Sequence, residues 1–243
     1  MSSLDTLHAH QPAATLSAPR LNLYQSVHKG LRAFMADTLV NAGSTDPHDP
    51  IECAASLAQL RSLLTICQAH LEHENHFIHS AMERRQAGSA KRCAGEHIEH
   101  EAHITQLGEL VAAAEAAHSS KRMDAWRDLY QALSEFVAEN FEHMLLEERQ
   151  HNQILWKHYT DDELHQIHGA LLASIPADEM AHHFRWMMPH LSHPERLAML
   201  GGMQQGMPAH VFKAQMDMAR SLLNPHAWSK LARDLSYDEV THG

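Results

Sequence analysis

The sequence predicts an all-α protein, and three observations carry that expectation. Glycine (10) and proline (9) are sparse in 243 residues, while Ala, Leu, Glu, Gln and Met are common, a composition that favours helix. Four long stretches repeat their apolar residues with helical periodicity. Short turn-rich segments separate those stretches. Long amphipathic helices with short connections pack as an up-down-up-down four-helix bundle, here with additional helices following it.

Helix A is expected over 21–41, with Tyr24, Val27, His28, Leu31, Phe34, Met35 and Thr38 on one face. NAGSTDPHDP at 41–50 ends it with turn residues. Helix B covers 51–86, with room for one break, and stops before Gly88. Its stripe runs through Leu60, Leu63, Leu64, Cys67, His70, Glu74, Phe77, Ile78 and Ala81. Helix C runs from 91 to 117 behind Ile104, Leu107, Leu110 and Val111, a face that reaches back to His100 and His97 with Glu101 and His103 on its flanks. Helix D spans 122–158, with Leu129, Leu133, Phe136, Val137, Asn140, His143, Glu147 and Ile154 sharing a face. The remainder, 161–243, opens with a capping signature, Thr160 followed by Glu163, and prolines divide it into four or five shorter helices. It is expected to pack on the bundle of 20–160. Residues 1–19, rich in Ser, Ala, Pro and Thr, are expected to form a disordered tail.

Composition also excludes function classes. The formal charge is −11 and no basic stripe is present, which argues against nucleic acid or an anionic membrane as partner. No apolar run is long enough for a membrane span, and the N-terminus lacks the basic and apolar regions of a secretory signal. Three cysteines without a CxxC pair suggest a reducing compartment, and with it a cytoplasmic location. Eight of the thirteen methionines fall between Met180 and Met218, as an adaptable core or as a groove for a protein partner.

Histidine is the outlier, 24 of 243 residues. His70 and Glu74 lie one helical turn apart inside an apolar stripe, and His143 and Glu147 repeat the spacing. Buried unpartnered, such groups are costly, so something must compensate them. With His28 on helix A and His97 on helix C, the chain directs four imidazoles and two carboxylates at one core. Structural zinc sites favour thiolates, and calcium and magnesium favour oxygen shells. Mixed imidazole and carboxylate, in numbers sufficient for two ions, suits iron or manganese, with zinc behind them and the carboxylates bridging the pair. His73, His76, His79 and His103 are expected to be solvated or to stand behind the ligands, with His76 and His79 off the ligand face.

The pattern H…HxxxE…H…HxxxE is carried by VHKGLRAF at 27–34, HLEHENHFIHSAM at 70–82, EHIEHEAHITQLGEL at 96–110 and HMLLEERQ at 143–150. It resembles the haemerythrin-like (HHE cation-binding) family, most of all the haemerythrin domains of iron-regulated ubiquitin ligases. YTDDELHQI and WMMPHLSHPERLAML are similar to segments that follow such domains, so the resemblance covers 20–200. It implies a non-haem di-iron centre that binds or reacts with dioxygen or a related small ligand. Carried over by position, His28, His70, Glu74, His97, His143 and Glu147 are ligands. Oxygen-carrying members have an HxxxH pair on helix C, whereas this chain has His97, His100 and His103 with Glu101. The remaining ligand falls to His100 or Glu101, and simple reversible oxygen carriage is not expected. The leading expectation is an iron-binding module that senses or handles dioxygen, reactive oxygen or nitrogen species, or iron. The alternative is a ferritin-like di-iron oxidase or peroxidase, which would use Glu-x-x-His pairs such as Glu148–His151. That pattern also wants a lone core glutamate on helix A, which is absent.

Overall fold

A computed structural model describes residues 20–237, all of whose regular elements are helical. The tail expected over 1–19 lies outside the described residues, as do 238–243. The long helices are α1 (Gln25–Ser44), α2 (Pro50–His73), α4 (Lys91–Ala116) and α5 (Arg122–Leu146). α2 continues without a break through a π-helical turn, Glu74–His79, into α3 (Ser80–Arg85). α5 does the same through a second π turn, Glu147–His151, into α6 (Asn152–His158). Five shorter helices follow: α7 (Asp161–Ser174), α8 (Ala177–His190), α9 (His193–Gly206), α10 (Ala209–Leu222) and α11 (Pro225–Asp234). Among the described residues no helix is long and apolar enough to cross a membrane.

Local chemistry sets the helix starts. Asp49 accepts the free N–H groups of Ile51 and Glu52, with Pro50 at the first helical position of α2. Thr160 and Glu163 form the reciprocal capping box expected for α7. α1 begins at Gln25 rather than 21, because the Asn22 side chain accepts from the N–H groups of Tyr24 and Gln25 and fixes a turn there.

The four long helices touch in a cycle, α1 on α2, α2 on α4, α4 on α5 and α5 on α1. Two apolar clusters fill the space between them. One gathers Leu31, Phe34, Leu60, Leu63, Leu107, Val111, Leu133 and Phe136. The other gathers Tyr24, Ile78, Met82, Leu155 and Tyr159. Along each helix the buried histidines and glutamates fall between these clusters, so apolar packing closes the polar layer from both ends.

α8 packs along α1. The approach is close at Gly30, where a Cβ would stand 2.9 Å from Met187 Cγ. Trp186 stacks on Phe34 with ring centroids 4.3 Å apart. α8 to α11 share a third cluster containing Phe184, Met188, Leu200, Phe212, Met216 and Leu231. Met188 and Met216 are core residues there, with Met199, Met203 and Met218 packed against them, while Met207 is exposed.

The two π turns are the main departure from the expected helices. Each begins on the glutamate of a His-x-x-x-Glu pair. A π turn holds an extra residue, so every later side chain shifts its facing. On the helix D stretch, Leu155 takes the buried place expected for Ile154. On the helix B stretch, His79 and Met82 become buried while Phe77 is only half-buried.

Candidate metal centre

Six side chains from the four long helices converge between the two apolar clusters. His28 comes from α1, His70 from α2, His97 from α4 and His143 from α5, and Glu74 and Glu147 open the two π turns. Glu147 is 0% exposed and Glu74 is 2% exposed. Glu74 Oε1 lies 3.1 Å from His70 Nε2 and 3.3 Å from His28 Nε2. Its other oxygen, Oε2, is 3.5 Å from His97 Nε2. Glu147 is split the same way, with Oε2 3.6 Å from His28 Nε2 and Oε1 3.4 Å from His143 Nε2 and 3.7 Å from His97 Nε2. Each carboxylate thus gives one oxygen to each of two adjoining pockets.

The imidazole nitrogens are oriented by partners outside the pockets. His28 Nδ1 donates to Glu148 Oε1 at 3.1 Å, and Arg32 holds that oxygen at 2.6 Å. His143 Nδ1 donates to Glu96 Oε2 at 2.8 Å, and Arg92 holds the other Glu96 oxygen at 2.9 Å. His97 Nδ1 and His79 Nδ1 both donate to Asn75 Oδ1, at 2.9 and 3.1 Å. With Nδ1 protonated, Nε2 of a neutral ring presents a lone pair inward, the orientation a metal-binding histidine needs.

The inward atoms are short of donors. Glu74 Oε2, both Glu147 oxygens and His70 Nε2 are buried without a properly directed hydrogen bond. His97 Nε2 and His143 Nε2 stand 2.9 Å apart. Two lone pairs at that distance repel unless a proton or an ion lies between them. Two nitrogens each about 2.1 Å from one ion, at right angles, sit about 3 Å apart. Orphaned buried acceptors, lone pairs facing inward and two carboxylates make a donor set that fits cations.

Without an ion, protons supply part of that positive charge. Burial alone would depress His143, but Glu147 and Glu96 beside it hold its pKa up to about 9. His28 is raised against its own burial by Glu148 and Glu74. Burial would raise the Glu147 carboxyl, yet His143, His79 and His97 around it keep it well below the usual carboxylate range. Glu74 is lowered in the same way: burial and Glu147 push its pKa up, and His70 and His28 outweigh them.

On helix C the structure places His100 and Glu101 outside the converging donors. His100 is buried, but its ring stands edge-on to His143 at 4.8 Å and close to Phe136. Burial, then the neighbouring His143, depresses it to about 4. Glu101 is half-buried on the flank. Among the described residues, the donor groups able to hold an ion include neither His100 nor Glu101. Those groups are Glu74, His97, His143 and Glu147; His28, His70 and Glu74; His79, Glu147 and His151; and Cys93, Glu96 and His143. His103 pairs with Glu139 at 2.8 Å on the outer face. His76 is exposed as expected. His79 is not off the ligand face: it is 5% exposed and its Nε2 lies 3.7 Å from Glu147 Oε1. His151, one turn after Glu147, is likewise buried beside it. Cys67 is a buried hydrophobe whose thiol is pushed up to about 12 by burial.

Asn75 is the shared brace of this centre. Asn75→Leu is expected to weaken metal binding by roughly 10- to 100-fold, the usual effect of removing an outer partner of a ligand histidine. Chelator competition on the loaded protein measures it. Unchanged affinity would mean that His97 is oriented by packing alone.

No protein-family model, curated protein or solved structure matches the chain.

Proposed function

We propose that the chain is a haemerythrin-like di-iron protein that senses or handles dioxygen, reactive oxygen or nitrogen species, or iron itself. In this reading α1, α2–α3, α4 and α5–α6 form an up-down-up-down four-helix bundle, which their cyclic packing supports. The observation that carries the proposal is the division of Glu74 and Glu147. Each buried carboxylate offers one oxygen to the His28–His70 pocket and one to the His97–His143 pocket, as bridging carboxylates do between two ions. Neither pocket contains a thiolate, which favours iron over structural zinc.

When bound, an iron pair supplies one- and two-electron redox chemistry toward oxygen species. The protein's own part is to position and to insulate. Glu74 and Glu147 balance the positive charge. Glu148, Asn75 and Glu96 keep imidazole lone pairs turned inward. The apolar clusters on either side keep bulk water from the layer. The ferritin-like alternative would spend Glu148 as a ligand in its Glu148–His151 pair, but Glu148 is engaged by His28 and Arg32. Binding and sensing therefore rank ahead of oxidase or peroxidase catalysis. Any protein partner is expected on the helices α8–α11, through α8, which lies against the helix that carries His28.

The test is anaerobic loading with iron(II), metal analysis, and an optical spectrum taken under nitrogen and then in air. The expected result is about two iron ions per chain and a near-ultraviolet absorption that grows on admitting air. Saturation at a single zinc ion with rejection of iron would overturn the proposal.

A further inference from the structure

We propose that the chain holds a third divalent transition ion, between His79, Glu147 and His151, beside the two ions of the di-iron reading. The inference rests on that reading, because Glu147 is shared between this set and the second pocket. It begins with the π turns. Each opens on a glutamate and closes on a histidine, Glu74 to His79 and Glu147 to His151. The extra residue in the first turn swings His79 inward, across from the second turn.

There, His79 Nε2 is 3.7 Å and His151 Nδ1 is 3.9 Å from the same oxygen, Glu147 Oε1. One donor atom from each of the three residues lies within 4.8 Å of the others. The two rings stand edge to face, with centroids 5.2 Å apart. Two ligands each about 2.1 Å from one ion are about 3.4 Å apart at a tetrahedral angle. The two nitrogen–oxygen separations are therefore within about half an ångström of that value.

The hydrogen positions argue for a cation. His79 spends its Nδ1–H on Asn75, so its Nε2 carries a lone pair. That nitrogen is buried, has no hydrogen-bond partner, and faces a carboxylate oxygen that has none. The His79 side chain is 6% exposed and that of Glu147 is 0% exposed. A lone pair directed at an anion in a dry layer is repulsive unless a proton or a metal ion lies between them. On the other side, Tyr24 Oη is 2.8 Å from His151 Nδ1. The phenol O–H donates and Nδ1 is the acceptor. His79 thus turns a lone pair toward Glu147, and the His151 Nδ1 lone pair, held by Tyr24 in this structure, lies 3.9 Å from the same oxygen.

Two imidazoles and one carboxylate make an open three-ligand set, suited to zinc(II) with the remaining position left to water. The set adjoins the second pocket and shares Glu147 Oε1 with it, but its two imidazoles are different ones. His79 stacks beside His97 at 4.7 Å instead of joining it, and the four donors grouped there are Glu74, His97, His143 and Glu147. Binding asks Tyr24 to release Nδ1, and the phenol then stands next to the bound ion.

The test is anomalous diffraction at the zinc edge from crystals of the full chain grown with zinc(II). The expected result is three buried peaks, one among His79, Glu147 and His151. His151→Leu and, independently, His79→Leu are expected to remove that peak and keep the other two, with bound zinc at buried positions falling by one per chain. Two buried peaks in the unaltered protein would overturn the third site and leave the two-ion reading intact. A third peak that survives either substitution would also overturn the assignment. No buried peak at all would overturn both readings.

Discussion

Glu147→Ala is expected to empty the centre, lowering iron from about two ions per chain to well below one. The reason is the number of donor groups that meet at this carboxylate. One oxygen faces His143, His97, His79 and His151, and the other faces His28. Glu74 reaches His28, His70 and His97, whereas His70 meets a single carboxylate, Glu74, among the described residues. The losses should follow that order. Glu74→Ala should cost most of both ions, His70→Ala mainly the ion of the first pocket, and His76→Ala nothing, since His76 is exposed. Glu147→Gln keeps the shape and removes the charge. It should lose iron nearly as completely, because a neutral amide cannot balance two ions in a buried layer. Metal analysis of anaerobically loaded variants is the measurement. Two ions retained in Glu147→Ala would mean that water or hydroxide bridges the pair in its place.

How much of this was legible in sequence depends on the assumption of a constant helical period. The long helices were readable because their apolar faces keep that period over many turns and because Asp49–Pro50 and Thr160–Glu163 mark helix starts with specific hydrogen bonds. The same period brings His70 to Glu74 and His143 to Glu147, and the fold gathers both pairs with His28 and His97. It fails after each glutamate. No residue type announces a π turn, so a constant period puts His79 on the outer side and Ile154 in the core, the reverse of what the fold does with His79. The spacing of Glu147 and His151 was a usable signal, since four residues stack on one helix face; five, from Glu74 to His79, do not. On helix C the choice between His100 and Glu101 had no local answer. His100 is directed at His143 and Phe136 by the neighbouring helix α5, a tertiary fact that sequence spacing does not contain.

Removing the metal is expected to reverse the protein's response to alkaline pH. In the metal-free chain His143 is held up to about 9, and His28 is raised in the same direction. A raised histidine contributes stability that is complete below its unfolded pKa, about 6.5, and is lost as pH climbs through its folded value. For His143 that window runs from about 6.5 to 9, worth on the order of 3 kcal/mol. In a chain of this size it corresponds to a melting temperature lower by roughly 10 °C. On the acid side the sign changes. His100, His151 and His183 are each depressed to about 4 by burial, so their contribution is present above about 6.5 and is lost as pH falls toward 4. Glu74 and Glu147 are lowered, so theirs is lost only at still more acid pH. The chelated protein should therefore be most stable near neutral pH. In the loaded protein an ion holds the inward nitrogen of His143, and no proton remains there to be lost. Rising pH then only removes proton competition for the ligands, so the melting temperature should stay level or rise from pH 6.5 to 9 and fall below about 5 as protons displace the ions. Melting curves of chelated and iron(II)-loaded protein under nitrogen, at half-unit steps of pH, test this directly. The gap between the two should widen steadily toward pH 9. Parallel curves across that range would mean that the proton on His143 and the metal do not compete for one lone pair, and the donor set would have to be redrawn without His143.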